Sequence, residues 1–265
     1  MGQPNPQVLA QWIENESTNL EFVSVRTLLE PILRRRNGNA SDEEIAEWSE
    51  QLETATVAAL ELRAAEYRAE GVRASYEVSV EGPDAYFKAV ATPESDLLIA
   101  LRSMSPRGFE HFCKEVVIRL NGTSVVEGGT QDGGVDFYGF GLPAGGDCGP
   151  APLTSQIVVI GQAKRYNSNN LVSETQIREF IGGALCRAHD LRLRYADRFG
   201  ILTPVLLAFW STGDFHFGAK KYARQMGVWY LNGKGFSQLA MRAGLGVNDV
   251  PRIDENATRR AVTMP

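Results

Sequence analysis

Two rhythms of apolar residues divide this chain. Over residues 7–36 they recur at helical spacing, as Leu9, Trp12 and Ile13, then Phe22, Val25, Leu28, Leu29, Ile32 and Leu33, so the stretch reads as largely helical. After Asn37-Gly38-Asn39, the run Ser41-Asp42-Glu43-Glu44 has the form of a capping box. It predicts a helix to about Ala69 through Ile45, Trp48, Leu52, Leu60 and Leu62. The two helical stretches are expected to pair as an antiparallel hairpin. Residues 74–80 and 85–90, separated by Glu81-Gly82-Pro83-Asp84, predict strand, turn and strand.

The second part alternates differently. Phe109, Phe112, Val116, Val117 and Leu120 predict a helix over residues 106–120. Asp132-Gly133-Gly134 is a glycine turn running into Val135-Asp136-Phe137-Tyr138, which places Asp136 at a strand's start with Val135 and Phe137 facing the other side. Residues 156–164 form a β-branched run that turns polar only at Gln162 and Lys164, with Ala163 between them. A hairpin-like return would set that pair beside Asp136, across a long Gly- and Pro-rich loop that includes Gly145, Gly146, Gly149, Pro150 and Pro152. Next come a helix opening at Ser173 and a strand over residues 205–210, apolar throughout and therefore covered on both faces. They are followed by a helix over residues 217–225, a strand over residues 228–231, a turn at Asn232-Gly233 and a helix over residues 235–243. Residues 248–265, with Arg259-Arg260, show little periodicity and read as a mobile tail. This alternation predicts an α/β fold with a mixed central sheet flanked by helices, preceded by a mainly helical N-terminal domain. The expected domains are residues 1–95, 96–248 and a tail, 249–265.

The polar ends of these strands carry the candidate chemistry. Side chains alternate along a strand, so Gln162 and Lys164 point to one face. Asp136, the Gln162 side-chain carbonyl and the Ala163 backbone carbonyl form an oxygen-donor set suited to Mg²⁺, with Lys164 stabilising negative charge that develops on a phosphodiester. A neutral Gln offsets less charge than a carboxylate, so a second acid is wanted; Glu110, at the edge of the apolar stripe of its helix, is the candidate. Each motif alone has a plainer reading, as a turn cap or an exposed strand end.

Taken together, Phe109-Glu110, Asp132-Gly133-Gly134-Val135-Asp136, Gln162-Ala163-Lys164-Arg165-Tyr166 and Ser211-Thr212 with Phe217, Ala219 and Ala223 resemble the Mrr-type catalytic domain over residues 96–246. That family belongs to the restriction-endonuclease-like superfamily, in its QxK variant. The resemblance implies a restriction-endonuclease-like core and a metal-dependent DNA endonuclease acting in restriction or in defence against foreign or modified DNA. Asp136, Gln162 and Lys164 become the catalytic set with Glu110, and Mg²⁺, or Mn²⁺ in its place, is held by Asp136, Gln162 and Ala163. It also implies a homodimer or higher oligomer, and whether an ATPase or helicase partner gates activity stays open. The long loop after Phe140 and the segment around residues 187–199 depart from the family pattern and leave the substrate open. Two other classes stay open: a non-catalytic nucleic-acid-binding or scaffold subunit, and a structure-specific nuclease acting on junctions or RNA.

Charge sharpens where DNA would sit. The net charge of −5 divides into −9 over residues 1–95, with 8 Lys+Arg against 17 Asp+Glu, and +4 over the rest, with 19 against 15. The nucleic-acid surface is therefore expected in the second part, with Arg165, Ser211, Thr212, His216, Lys220 and Lys221 as contacts. Two helices and a hairpin make the first part winged-helix-like, but its acidity favours protein contact or dimerisation. Arg34-Arg35-Arg36 is read as complementing a helix dipole. The three cysteines, Cys113, Cys148 and Cys186, lack metal-ligand spacing, and Cys113 and Cys186 read as small core residues. His111 and His189 read as surface or packing residues. There is no apolar run near 18 residues and no signal-like N-terminus, so a soluble, cytoplasmic protein is expected.

Overall fold

The computed structural model describes residues 4–126, 134–143, 156–168 and 170–262, with side chains described as far as residue 257. It contains two compact units, Met1–Ser95 and Asp96–Pro265.

In the first unit, helix α1 (Pro6–Glu16) starts on Asn5, whose side chain accepts from Gln7 N–H, with Pro6 in the first turn. Strand β1 (Val23–Ser24) separates it from α2 (Val25–Arg36), so the stretch expected to be largely helical is interrupted over residues 17–24. Helix α3 (Asp42–Ala69) opens with a complete Ser41/Glu44 capping box. Strands β2 (Tyr76–Glu81) and β3 (Asp84–Ala89) form a hairpin, and β1 joins it in the antiparallel order β1-β3-β2. Leu9, Ile13, Leu29, Leu33, Leu60 and Phe87 fill the core between helices and sheet. Tyr76 donates to the Leu60 carbonyl at 2.7 Å, and burial pushes its phenol far above the usual range. Buried acids in this unit have arginine partners: Glu14 with Arg63 at 2.6 Å and Glu53 with Arg26 at 2.9 Å. Arg34 pairs with Asp42, while Arg35 and Arg36 pair with Glu16, so this basic run is tied to acids of the same unit.

The second unit runs α4 (Pro93–Ser103), α5 (Pro106–Arg119), β4 (Thr123–Val126), β5 (Phe137–Pro143), β6 (Gln156–Lys164), β7 (Leu171–Val172) and α6 (Glu174–Arg194). It continues through β8 (Val205–Ser211), β9 (Asp214–Phe215), α7 (Phe217–Gln225), β10 (Trp229–Leu231), α8 (Gly233–Arg242) and α9 (Asp249–Val262). Five strands form one sheet in the order β10-β8-β6-β5-β4. The pairs β10·β8 and β8·β6 are parallel, whereas β6·β5 and β5·β4 are antiparallel, so the sheet is mixed. Strand β6 lies at its centre with apolar residues on both faces, as its unbroken β-branched run requires. One face packs Phe137, Val159, Ala163 and Trp210 with residues of α5, α8 and α9. The other packs Tyr138, Ile160 and Phe209 with residues of α6 and α7. Gly161 lets the Phe137 ring lie against β6: a Cβ there would stand 2.1 Å from the ring.

Several expectations are corrected here. Residues 249–262 form α9 rather than a tail, because Val250, Ile253 and Ala257 share one face and are buried. Asn232-Gly233 is a helix start, with the Asn232 side chain accepting from Gly235 N–H, because the residues after it continue into α8. Val135 and Phe137 enter different cores, since Gly134 bends the chain at φ +81° before the strand is established. Cys186 is exposed on α6, whereas Cys113 is buried. Asp132 and Gly133, the loop over residues 144–155 with Cys148, and the side chains of Arg259-Arg260 lie outside the described residues.

Candidate active site

The site forms where β5 and β6 meet at the end of their shared ladder. The register pairs Phe137 with Gly161 and Tyr138 with Ile160. One further step sets Asp136 opposite Gln162, and Asp136 N–H still donates to the Gly161 carbonyl at 2.9 Å. The Asp136 carboxylate then turns across the strand and accepts from Ala163 N–H at 2.7 Å. An acid bound this way is aimed by the backbone of the QxK segment itself. Gln162 is buried, and its amide lies against Gly134, where an added Cβ would come within 3.0 Å of Nε2. Lys164 is half-buried at the strand's end.

Glu110 is carried by α5, which starts at Ser105 with Pro106 in its first turn. Its side chain is 20% exposed and lies 3.5 Å from Arg107. Buried Cys113, one turn along, has its thiol pushed well up, first by burial and then by the negative charges of Asp136 and Glu110. Both carboxylates thus act on one buried thiol. Neighbouring His111 is half-buried.

The end of β8 differs from the sequence expectation. Ser211 and Thr212 are fully buried. The Thr212 hydroxyl accepts from Tyr166 N–H and donates to the Tyr166 carbonyl, both at 2.7 Å, while Thr212 N–H donates to the Lys164 carbonyl at 3.1 Å. The Ser211 hydroxyl accepts from Gly213 N–H at 3.0 Å. These residues fasten the strand end that bears Lys164. Tyr166 in turn accepts from Gln176 at the start of α6 at 2.6 Å. Lys220 is buried too, with Nζ 3.4 Å from Asp214 Oδ1. His216 and Lys221 are exposed at the start of α7, and half-buried Arg165 donates to Asn167 at 3.4 Å. The structure therefore brings together Asp136, Gln162, Ala163 and Lys164. It keeps Ser211, Thr212 and Lys220 from solvent, and it leaves Arg165, His216 and Lys221 reachable. Sequence reasoning gave Tyr166 and Asp214 no part in this corner; the adjoining strand ends were the available signal, but Tyr166 is 46 residues from Thr212.

Residues 101–192 match the Mrr_cat family, restriction endonuclease. Over this segment the chain is similar to a restriction endonuclease catalytic domain. The Mrr_cat match runs from α4 to near the end of α6 and so includes Glu110, Asp136, Gln162 and Lys164. No curated protein matches the chain. Among solved structures, the chain is similar to the DNA modification-dependent restriction endonuclease AspBHI, at 20% identity over 64% of this chain and 41% of that one, with a TM-score of 0.41. It is also similar to the MspJI restriction endonuclease in complex with a 27-mer oligonucleotide, at 18% identity over 86% and 48%, with a TM-score of 0.39. Restriction endonuclease FokI bound to DNA follows at 9% identity over 93% and 46%, with a TM-score of 0.38. The matched regions span less than half the length of each of these three chains.

The similarity to restriction endonucleases implies a divalent metal, and the donors present fit one. Along β6, Gly161 turns its carbonyl to Asp136 and Lys164 turns its carbonyl to Thr212. By alternation the Ala163 carbonyl points to the Asp136 side, past the last ladder pair. A carboxylate, an amide and a backbone carbonyl make a hard oxygen set. Among the described residues no group of three or more His, Cys, Asp or Glu side chains converges, so the carboxylate content of this corner is low.

Proposed function

We propose that the chain is a metal-dependent DNA endonuclease that hydrolyses phosphodiester bonds, in restriction or in defence against foreign or modified DNA. The observation that carries this reading is the 2.7 Å hydrogen bond from Ala163 N–H, at the centre of Gln162-Ala163-Lys164, to the Asp136 carboxylate. Asp136, Gln162 and the Ala163 carbonyl would hold Mg²⁺, or Mn²⁺, which supplies charge neutralisation at the phosphate and an acidified water. Lys164, fixed through its carbonyl by Thr212, stabilises the charge that develops on the phosphate oxygens. Glu110 adds a second negative charge and orients water. Arg165, His216 and Lys221 contact the phosphodiester backbone.

The order α-β-α-α-β-β in Met1–Ser95, with the first strand paired to the last, supports reading that unit as winged-helix-like. Its balance of −9 directs it to protein contact rather than phosphate. A cytoplasmic protein that acts as a homodimer or with an ATPase or helicase partner fits this reading. Among the described residues no helix is long and apolar enough to cross a membrane.

The test is plasmid DNA incubated with the protein and Mg²⁺, with EDTA, or with the Asp136→Ala variant. Cleavage that needs metal and is lost in the variant is the expected result. DNA binding with no cleavage under Mg²⁺ or Mn²⁺ would replace the enzyme by a scaffold subunit, and preference for branched DNA or RNA in competition would replace the substrate.

A further inference from the structure

Helix α7 turns an aromatic and basic stripe to solvent. Phe217, Lys221 and Arg224 stand four and three residues apart, within about 60° around the helix axis, and all three are exposed. The helix contains no acid, and its other lysine, Lys220, is buried against Asp214. Glu174, the acid beside Gly218, is already paired with Arg178 at 2.6 Å. Phe217 is 66% exposed. Among the described residues no other ring or cation lies against it, whereas Phe22, the other exposed phenylalanine, lies under Lys88 at 5.3 Å. A ring held open in this way leaves its apolar area and its π face unused within the chain.

The fold sets the head of this stripe at the end of the sheet that bears Lys164. Strands β8 and β10 are parallel neighbours, so α7 between them runs back along the sheet and begins at the strands' C-terminal end. Lys164 closes β6 at that level, paired with Ser211, the last residue of β8. In open α/β sheets this is the end where ligands bind. We propose that Phe217 stacks on an unpaired base of a DNA strand whose phosphates Lys221 and Arg224 hold along α7; this rests on reading the Lys164 corner as a DNA site. Lys221 and Arg224 lie about 6 and about 10.5 Å along the axis from Phe217, so ring and cations follow a strand rather than converge on one phosphate. Basic side chains fix the backbone, and an aromatic face stacks on a base of any identity. Bases inside a duplex are covered by their neighbours, so the ring takes a base that is out of the stack.

Binding of the full chain to a fluorescent single-stranded DNA oligonucleotide in EDTA tests this apart from cleavage. Phe217→Ala and Phe217→Leu should each weaken binding at least about fivefold and Phe217→Trp should keep it, because stacking needs a π face and not merely an apolar side chain. On a strand of equal length in which abasic sites replace the nucleotides, the unaltered protein and Phe217→Ala should bind equally. Lys221→Gln should weaken binding to both strands alike and reduce the salt dependence by about one phosphate contact. Ile201→Ala, at an exposed residue before β8 and so at the opposite end of the sheet, should change nothing. No binding to the strand, full affinity in Phe217→Ala or Phe217→Leu, or tighter binding to RNA of the same sequence would overturn the proposal. Plasmid cleavage is read separately: cleavage together with undiminished strand binding by Phe217→Ala overturns the stacking alone, and stacking without cleavage overturns the enzyme alone.

Discussion

Two aspartates follow glycines at neighbouring strand ends, and their surroundings give them different work. Asp136 comes two residues after Gly134, and its carboxylate accepts from the backbone of the residue between Gln162 and Lys164. Asp214 follows Gly213 directly; it accepts from its neighbour Phe215 N–H at 2.8 Å, from Asn232 at 3.3 Å and from buried Lys220. In the second corner the lysine is consumed by the acid. In the first, Lys164 stands half-buried at a strand end, on the same face as Gln162. Acid and lysine recur in both places, so residue type does not separate the proposed reactive corner from a structural one. The partner of the lysine does.

The largest expected effect falls on the first corner. Asp136→Asn should lower plasmid cleavage by more than about 10²-fold and leave the melting temperature nearly unchanged, as read by gel assay and thermal unfolding of one preparation. Comparable loss of stability would make Asp136 a second structural acid and dissolve the contrast. Asp214→Ala should do the reverse. It leaves Lys220 buried without its carboxylate and should cost about 3–5 kcal/mol in denaturant unfolding, while the protein that remains folded cleaves at the original rate. A cleavage rate that falls with Asp214→Ala, at full stability, would move that acid into the reactive corner.

Thr212→Val sharpens the boundary between the two. It leaves the Tyr166 N–H and carbonyl without their hydroxyl partner, with an expected cost of about 1–3 kcal/mol. Cleavage should fall about tenfold at unchanged DNA affinity, and Thr212→Ser should restore it. The smallest effect is read at the cysteines. A thiol reagent at neutral pH should modify exposed Cys186 and spare Cys113, whose thiol is held up chiefly by burial. Asp136→Asn removes one of the charges acting on Cys113 and so lowers its pKa slightly, but mass spectrometry should still find it unmodified in the folded protein.

The same contrast explains what could be read from the residues alone. Strands β5 and β6 and helices α5 and α6 were legible because long apolar runs, a glycine turn and Ser caps agree locally with the fold. The corner at Asp136 was legible because strand alternation and a hairpin return suffice to place it. The corner at Asp214 was not. Ser211, Thr212 and Lys220 are polar residues after an apolar strand, a pattern shared by solvent-facing and inward-facing ends. Burial there depends on Tyr166, 46 residues from Thr212, and on Asn232, 18 residues from Asp214. Helix α9 was missed for a related reason: Val250, Ile253 and Ala257 make too short a stripe to be noticed without the α5 surface that buries them.

The double hydrogen bond of Thr212 to Tyr166 has one more consequence. A threonine has two heavy atoms on Cβ and occupies few staggered wells, so both bonds depend on a single torsion. A turn of about 120° about that bond would release the amide and the carbonyl of Tyr166 together. Tyr166, two residues beyond Lys164, is thus latched all-or-none by one rotamer, while Lys164 itself keeps its backbone bond to Thr212 N–H whichever way that side chain turns.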